Sequence, residues 1–345
     1  MECMFLVTKS TSQGGMSMER RTFLGRTLVG GALVGGAAGM SGVPPAYASQ
    51  SNRMIFTNDL VVERDNPGRP HEGRVLAAIQ PHADDIPIFA AGTVAKLIGE
   101  GYTGYLINTT NDDHAGPGTV GDTVVGNEDD VIEVAKALGL KKVFNLGYRN
   151  HRMEDIDIIE MKARLIFLFR VLKVDTVIGY DPWGFYEENP DHYITAQAVE
   201  AACWMAGGGK DYPEHFKAGI KPRGVREKYY HARGPQLVNR IVDISSHVAE
   251  MVRSNMANKT QGPAGRAGAA LRDRMAKEGK KLPVLGDSED TANFQYVKQF
   301  LLEDERALGR KYGVEYAEAF HYIGPGASYA PTMDDYIKKN AVPLK

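Results

Sequence analysis

The sequence predicts an α/β fold: a Rossmann-like, doubly wound, mostly parallel sheet with helices on both faces and less regular additions toward the C-terminus. Three observations carry this. Short apolar runs of strand length recur at 75–79, 105–107, 142–146 and 176–180. Between them lie longer stretches with apolar residues at helical spacing, the kind of crossover that a parallel pair of strands needs. The 345 residues are 43% hydrophobic and 24% charged, a globular composition that excludes a disordered, collagenous or multispanning chain.

The elements follow in order. Residues 18–48 have a charged start, an apolar run from Thr27 to about Val43 and a small-x-small end at Ala46-Tyr47-Ala48, the three parts of an export signal. Arg20-Arg21 followed by Phe23-Leu24 resembles the twin-arginine type, read by a translocase that carries folded proteins. Glycines at 25, 30, 31, 35, 36, 39 and 42 weaken the run as a membrane span. The expectation is that residues 1–48 are removed, leaving a periplasmic or secreted protein with no stable membrane anchor, translated from Met1, Met16 or Met18. Cleavage takes four of the 41 Lys and Arg and two of the 43 Asp and Glu, moving the net charge from -2 to -4. No basic excess is left for nucleic acid. Cys3 is lost too, so Cys203 stands alone and no intramolecular disulfide forms.

Residues 49–73 read as an extended lead-in, and 74–324 as the catalytic domain. Within it, Val75–Ile79 is a strand, Ile86–Glu100 a helix ended by glycines, and Tyr105–Ile107 the next strand. Glu128–Leu138 is a helix stopped at Gly139, Lys142–Leu146 a strand, Ile156–Leu172 a long helix and Thr176–Tyr180 a fourth strand. Asp191–Ala206 is a helix ended by Gly207-Gly208-Gly209. Lys228–Val242 holds two strand-like runs around Ala232–Pro235, and Ser245–Asn258 is helical. Residues 262–290, rich in Gly and charge, read as a mobile insertion, Ala292–Tyr312 as helical, and 325–345 as a tail.

Ligands of open α/β sheets bind at the carboxyl ends of strands, in the loops that lead into helices. Two such loops carry polar residues at metal-ligand spacing: Gln80-Pro-His82-Ala-Asp84-Asp85, and the stretch from Asp181 to His192. An imidazole and a carboxylate three residues apart, joined by a second imidazole from a neighbouring strand, make a three-ligand face. With the fourth position left to water, that is a catalytic zinc arrangement, whereas structural sites prefer thiolates. Asp84, beside Asp85 but on the other side of the chain, is placed to take a proton from that water.

Pro81-His82-Ala83-Asp84-Asp85 after a strand, and Asn189-Pro190-Asp191-His192 opening a helix about 110 residues later, resemble the two motifs of the PIG-L/LmbE-like family of zinc-dependent de-N-acetylases, Pro-His-Pro-Asp-Asp-Glu and His-Pro-Asp-His. The likeness runs from about Arg74 to Gly324. It implies a Rossmann-like fold, one zinc (or another divalent metal) held by His82, Asp85 and His192, Asp84 as general base and Asp191 orienting a neighbour. It also implies removal of an N-acetyl or N-acyl group from a small molecule, an amino sugar or glycoconjugate. Three positions depart from the family pattern: Ile86 replaces a Glu that is not a ligand, Asn189 replaces the first His of the second motif, and Asn127 replaces a substrate-contacting Arg. The oxyanion donor is therefore Tyr186, Asn189 or His231. His114 and His151, on the same rim, join Asn127 and His231 as substrate-binding candidates, and Trp183, Phe185 and Tyr186 form either a sugar-stacking wall or a packed loop.

Two other readings stay open: deacylation of a non-sugar N-acyl compound, to which Asn127 points, and a non-catalytic, metal-containing sugar-binding protein, to which Asn189 points. A dinucleotide-binding oxidoreductase is disfavoured because the first loop lacks Gly-x-Gly-x-x-Gly.

Overall fold

The computed structural model describes residues 60–324 and 336–344. The expected export signal and most of the expected tail lie outside the described residues. The elements in chain order are β1 (Val61–Glu63), β2 (Val75–Gln80), α1 (Asp85–Phe89), α2 (Ala91–Gly99), β3 (Thr103–Thr110), α3 (Val120–Ala137), β4 (Val143–Tyr148), α4 (Ile158–Leu172), β5 (Thr176–Tyr180), α5 (Pro190–Met205), α6 (Pro213–Lys217), β6 (Glu227–His231), β7 (Arg240–Asp243), α7 (Val248–Ala257), α8 (Ala267–Lys277), α9 (Glu289–Tyr296), α10 (Glu303–Tyr312) and β8 (Ala317–Ile323).

The strands form one sheet of eight in the order β1-β7-β8-β6-β5-β2-β3-β4. Every pair is parallel except those of β8, which runs antiparallel to both β6 and β7. The expected α/β fold with a mostly parallel sheet is the one observed. Strand β2 is central, and its alternation feeds two cores. Leu76 and Ala78 face the side packed by α1, α2, α3 and α7, whereas Ala77 and Ile79 face α4 and α5. Both faces are covered, so β2 and β5 read as continuous apolar runs rather than alternating ones.

Several elements differ from expectation for local reasons. Helix α3 begins eight residues early, at Val120, because Thr119 and Asp122 form a reciprocal capping box. The helix expected over 86–100 is broken at Ala90 into α1 and α2. Ala90 supplies no side-chain cap for α2. Instead Glu318 of β8 accepts from the N–H groups of Gly92 (2.9 Å) and Thr93 (2.8 Å). The lead-in is tied down: β1 pairs with β7, and Glu63 meets the fully buried Lys96 at 3.0 Å, which also pairs with Glu100 at 2.8 Å.

The stretch expected as a mobile insertion is packed. It contains α8, whose Gly268 approaches the Ala292 backbone so closely that a Cβ would collide with it, and Ala264, Ala269 and Leu285 are buried. Just before it, Asp130 Oδ2 accepts from the N–H groups of Lys259 (2.8 Å) and Thr260 (2.6 Å). Among the described residues, no helix is long and apolar enough to cross a membrane.

Candidate functional site

Strands β2 and β5 are neighbours, so the loops after them open side by side at the carboxyl edge of the sheet. The β2 loop delivers His82, Asp84 and Asp85. The β5 loop turns into α5, where Asn189 caps the helix by accepting from the Asp191 N–H (3.0 Å) and Pro190 occupies the first turn. His192 follows, pointing back at His82.

Three side chains meet there. His82 Nδ1 lies 3.1 Å from His192 Nε2 and 3.4 Å from Asp85 Oδ2, and His192 Nε2 lies 3.6 Å from Asp85 Oδ1. A tetrahedral ion with bonds of 2.0–2.2 Å separates its ligand atoms by about 3.3–3.6 Å. The triad is thus shaped like one face of such a site, and all three residues are buried. The donor set, two imidazoles and a carboxylate, suits a divalent ion of borderline softness. His82 turns its other nitrogen, Nε2, to Asp191 Oδ2 at 3.0 Å, which leaves Nδ1 free for an ion. Tyr180 at the end of β5 donates to Asp85 Oδ1 at 2.8 Å and stacks on His192 with ring centroids 4.1 Å apart.

The charges are strongly coupled. Burial disfavours ionisation of both His82 and Asp85, but their mutual attraction wins: the His82 pKa stands well above its ordinary value and that of Asp85 well below. Burial, and then the Asp85 carboxylate, push Asp84 up to about 7. Asp84 Oδ1 accepts from Gln261 Nε2 at 3.0 Å. Beneath the loop, Asp112 accepts from the Ala83 N–H (2.9 Å), and burial raises its pKa to about 6.

The triad and Asp84 open into a cavity of about 350 Å³. Ile88, Phe89 and Tyr180 form its apolar wall, and Asn150, His151, Asn189, Arg233 and Gln261 its polar one. Residues 77–203 match the family model described as PIG-L: GlcNAc-PI de-N-acetylase. Over these residues the chain is similar to the PIG-L family. A diacetylchitobiose deacetylase of Thermococcus kodakarensis is 27% identical over 196 residues, which cover 54% of this chain and 70% of that one. Among solved structures, the N,N'-diacetylchitobiose deacetylase of Pyrococcus horikoshii aligns over 83% of this chain and 95% of its own, with a TM-score of 0.60 and 20% identity. GalB of Pseudomonas putida, a 4-carboxy-2-hydroxymuconate hydratase, aligns over 74% and 98% with a TM-score of 0.52 and 16% identity. Both structural likenesses speak to the fold.

The matched residues include the triad, Asp84, Asn189 and Asp191, but Arg233 and Gln261 come from beyond them. Other expected site residues stand elsewhere. Tyr186 is 86% exposed on a backbone with φ 60°, and it does not line the cavity. Asn127 is buried and spends its amide on the carbonyls of Asp112 (3.2 Å) and Ala115 (2.9 Å), so it braces a loop instead of touching substrate. His114 is half-exposed, paired with Asp113 at 2.9 Å and outside the cavity wall.

His231 is fully buried, stacked on Phe89 and tilted against Tyr180, and neither ring nitrogen has a partner. Burial lowers its pKa to about 4, so it packs as a neutral ring behind the cavity wall. His151 does line the cavity, and its N–H donates to Asp191 Oδ2 at 2.8 Å. Trp183 and Phe185 are exposed and also outside the cavity wall. Cys203 is buried in the core, with its thiol pushed up to about 12 by burial. Tyr180, Phe89, Asn150, Arg233 and Gln261 were not singled out in the sequence. Of these only Tyr180, at the end of an expected strand in the β5 loop, carried a signal.

Proposed function

We propose that this protein is a zinc-dependent hydrolase that removes an N-acetyl or N-acyl group from an amino sugar or glycoconjugate. The observation that carries the reading is the convergence of His82 Nδ1, Asp85 and His192 Nε2 on one point, with Asp84 beside them at a cavity. The family match and the likeness to a chitobiose deacetylase support the choice of an acetamido sugar. A cavity of about 350 Å³ is at the small end of ligand sites, room for one acylated sugar ring with the remainder of the substrate outside.

His82, Asp85 and His192 would hold the ion. When bound, it polarises the acyl carbonyl and lowers the pKa of a water. Asp84 takes one proton of the attacking water as the oxygen–carbon bond forms, and passes it to the amide nitrogen as the carbon–nitrogen bond breaks, giving a free amine and a carboxylic acid that then ionises to solvent. Of the three donors the sequence offered for the oxyanion, Asn189 is the one at the cavity wall, and we assign it that role. We further propose that the protein works outside the cytoplasm after twin-arginine export.

The test replaces His82 or Asp85 with Ala and measures zinc by elemental analysis alongside hydrolysis of chitin oligosaccharides. Loss of both is expected. Full metal retention in a folded variant would refute the site, and a zinc-loaded wild type inert on every acetamido sugar would refute the substrate class.

A further inference from the structure

Each imidazole of the triad must present one nitrogen to an ion and keep its proton on the other. Asp191 does this for His82. For His192 the carboxylate within reach belongs to a residue that no motif marks. Glu187 Oε1 lies 3.1 Å from His192 Nδ1, a buried nitrogen that has no aligned hydrogen-bond partner, and the same oxygen accepts from Arg233 Nη2 at 2.8 Å and from the Asn189 N–H at 2.9 Å. The Glu187 side chain is about nine-tenths buried.

We propose that Glu187 is a positioning residue for the metal centre: it fixes His192 in the tautomer that aims Nε2 at the ion and anchors Arg233 in the cavity wall. The inference rests on the metal site proposed above. The physics is that of the carboxylate–histidine–metal arrangement, in which an acceptor on the remote nitrogen fixes the ring and raises the basicity of the ligating one. Arg233 balances the added negative charge, so the carboxylate acts as an acceptor without making the pocket more anionic. The N–H of Asn189 ties the same oxygen to the residue that caps α5, which sets the rotation of the helix's first turn and with it the origin of the His192 side chain. Residues 187–192 thereby supply both carboxylates that orient the two imidazoles, one for each.

The experiment uses the full chain, stripped of metal, and measures zinc affinity by competition with a chromophoric chelator for wild type, Glu187→Gln and Glu187→Ala. Replacing an outer carboxylate of this kind typically weakens metal binding about 10–100-fold. Glu187→Ala is expected to fall in that range and Glu187→Gln, whose amide oxygen still accepts, to recover most of the loss. The visible spectrum of the cobalt(II)-loaded protein should shift in the Ala variant and not in the Gln variant. A lowered melting temperature with unchanged zinc affinity and an unchanged cobalt spectrum would overturn the proposal, because that is what mere packing predicts. Absence of zinc binding in wild type would instead refute the metal site itself.

Discussion

Glu318 offers a quantitative test of how the sheet supports the site. It lies on β8, is fully buried and caps the first turn of α2 with both carboxylate oxygens. Burial drives its pKa from an ordinary 4.5 up to about 7, and the N–H groups of Thr93 and Gly92 take back part of that rise. A raised folded-state pKa means that the folded protein holds the proton more tightly than the unfolded chain. The stabilisation is therefore complete below about pH 4.5 and is lost as pH rises through 7. At 1.36 kcal/mol per pH unit, the interval corresponds to about 3 kcal/mol. Glu318→Gln removes the titration but keeps only one of the two acceptors, leaving one buried N–H without a partner at about 1–3 kcal/mol. Urea unfolding of wild type and Glu318→Gln at intervals from pH 5 to 8 should show the variant behind at the acid end by the lost bond and gaining about 3 kcal/mol on the wild type by the alkaline end. Glu318→Ala should be less stable at every pH, because two buried N–H groups lose their acceptors at about 1–3 kcal/mol each. Parallel pH profiles for wild type and Glu318→Gln would refute the reasoning.

Other outcomes are expected at the site and at the start of the chain. Asp84→Asn should keep its zinc by elemental analysis while hydrolysis falls about 10²–10⁴-fold, the range for a lost general base; unchanged turnover would remove Asp84 from the mechanism. Asn189→Asp keeps the oxygen that caps α5 but loses the amide N–H donors, so kcat should drop about 10²–10³-fold with little change in melting temperature. A reporter fused to residues 1–48 should leave the cytoplasm, and replacing Arg20 and Arg21 with Lys should retain it there, as cell fractionation would read.

The strands β2 to β5 and both ligand loops were legible in the sequence, because buried parallel strands need continuous apolar runs and metal chemistry needs particular residue types at fixed spacing. The edge of the sheet was not. Strand β8 inserts antiparallel between β6 and β7, a pairing decided by tertiary contacts, and its Glu318 reads as a surface residue until the uncapped helix opposite is seen. Arg233 and Gln261 reach the cavity from loops with no motif of their own. The choice between Tyr180 and Tyr186 turned on direction: the strand-end tyrosine points inward at Asp85, while the loop tyrosine is held outward by its left-handed backbone. Asn127 was misplaced because the extra two turns of α3 carry it under the Asp112 loop.

The placement of β8 also bears on the order in which the molecule can be assembled. Among the described residues, strands β7 and β1 have no route to the rest of the sheet except through β8. A chain emerging from the ribosome can pair β2, β3, β4, β5 and β6 early, but residues 240–243 and 61–63 must wait for 317–323. The ligand loops thus exist on a half-built sheet well before the polypeptide closes, and truncation anywhere ahead of Ala317 would leave that sheet with an open edge on β6, the kind of unpaired strand that invites association between chains.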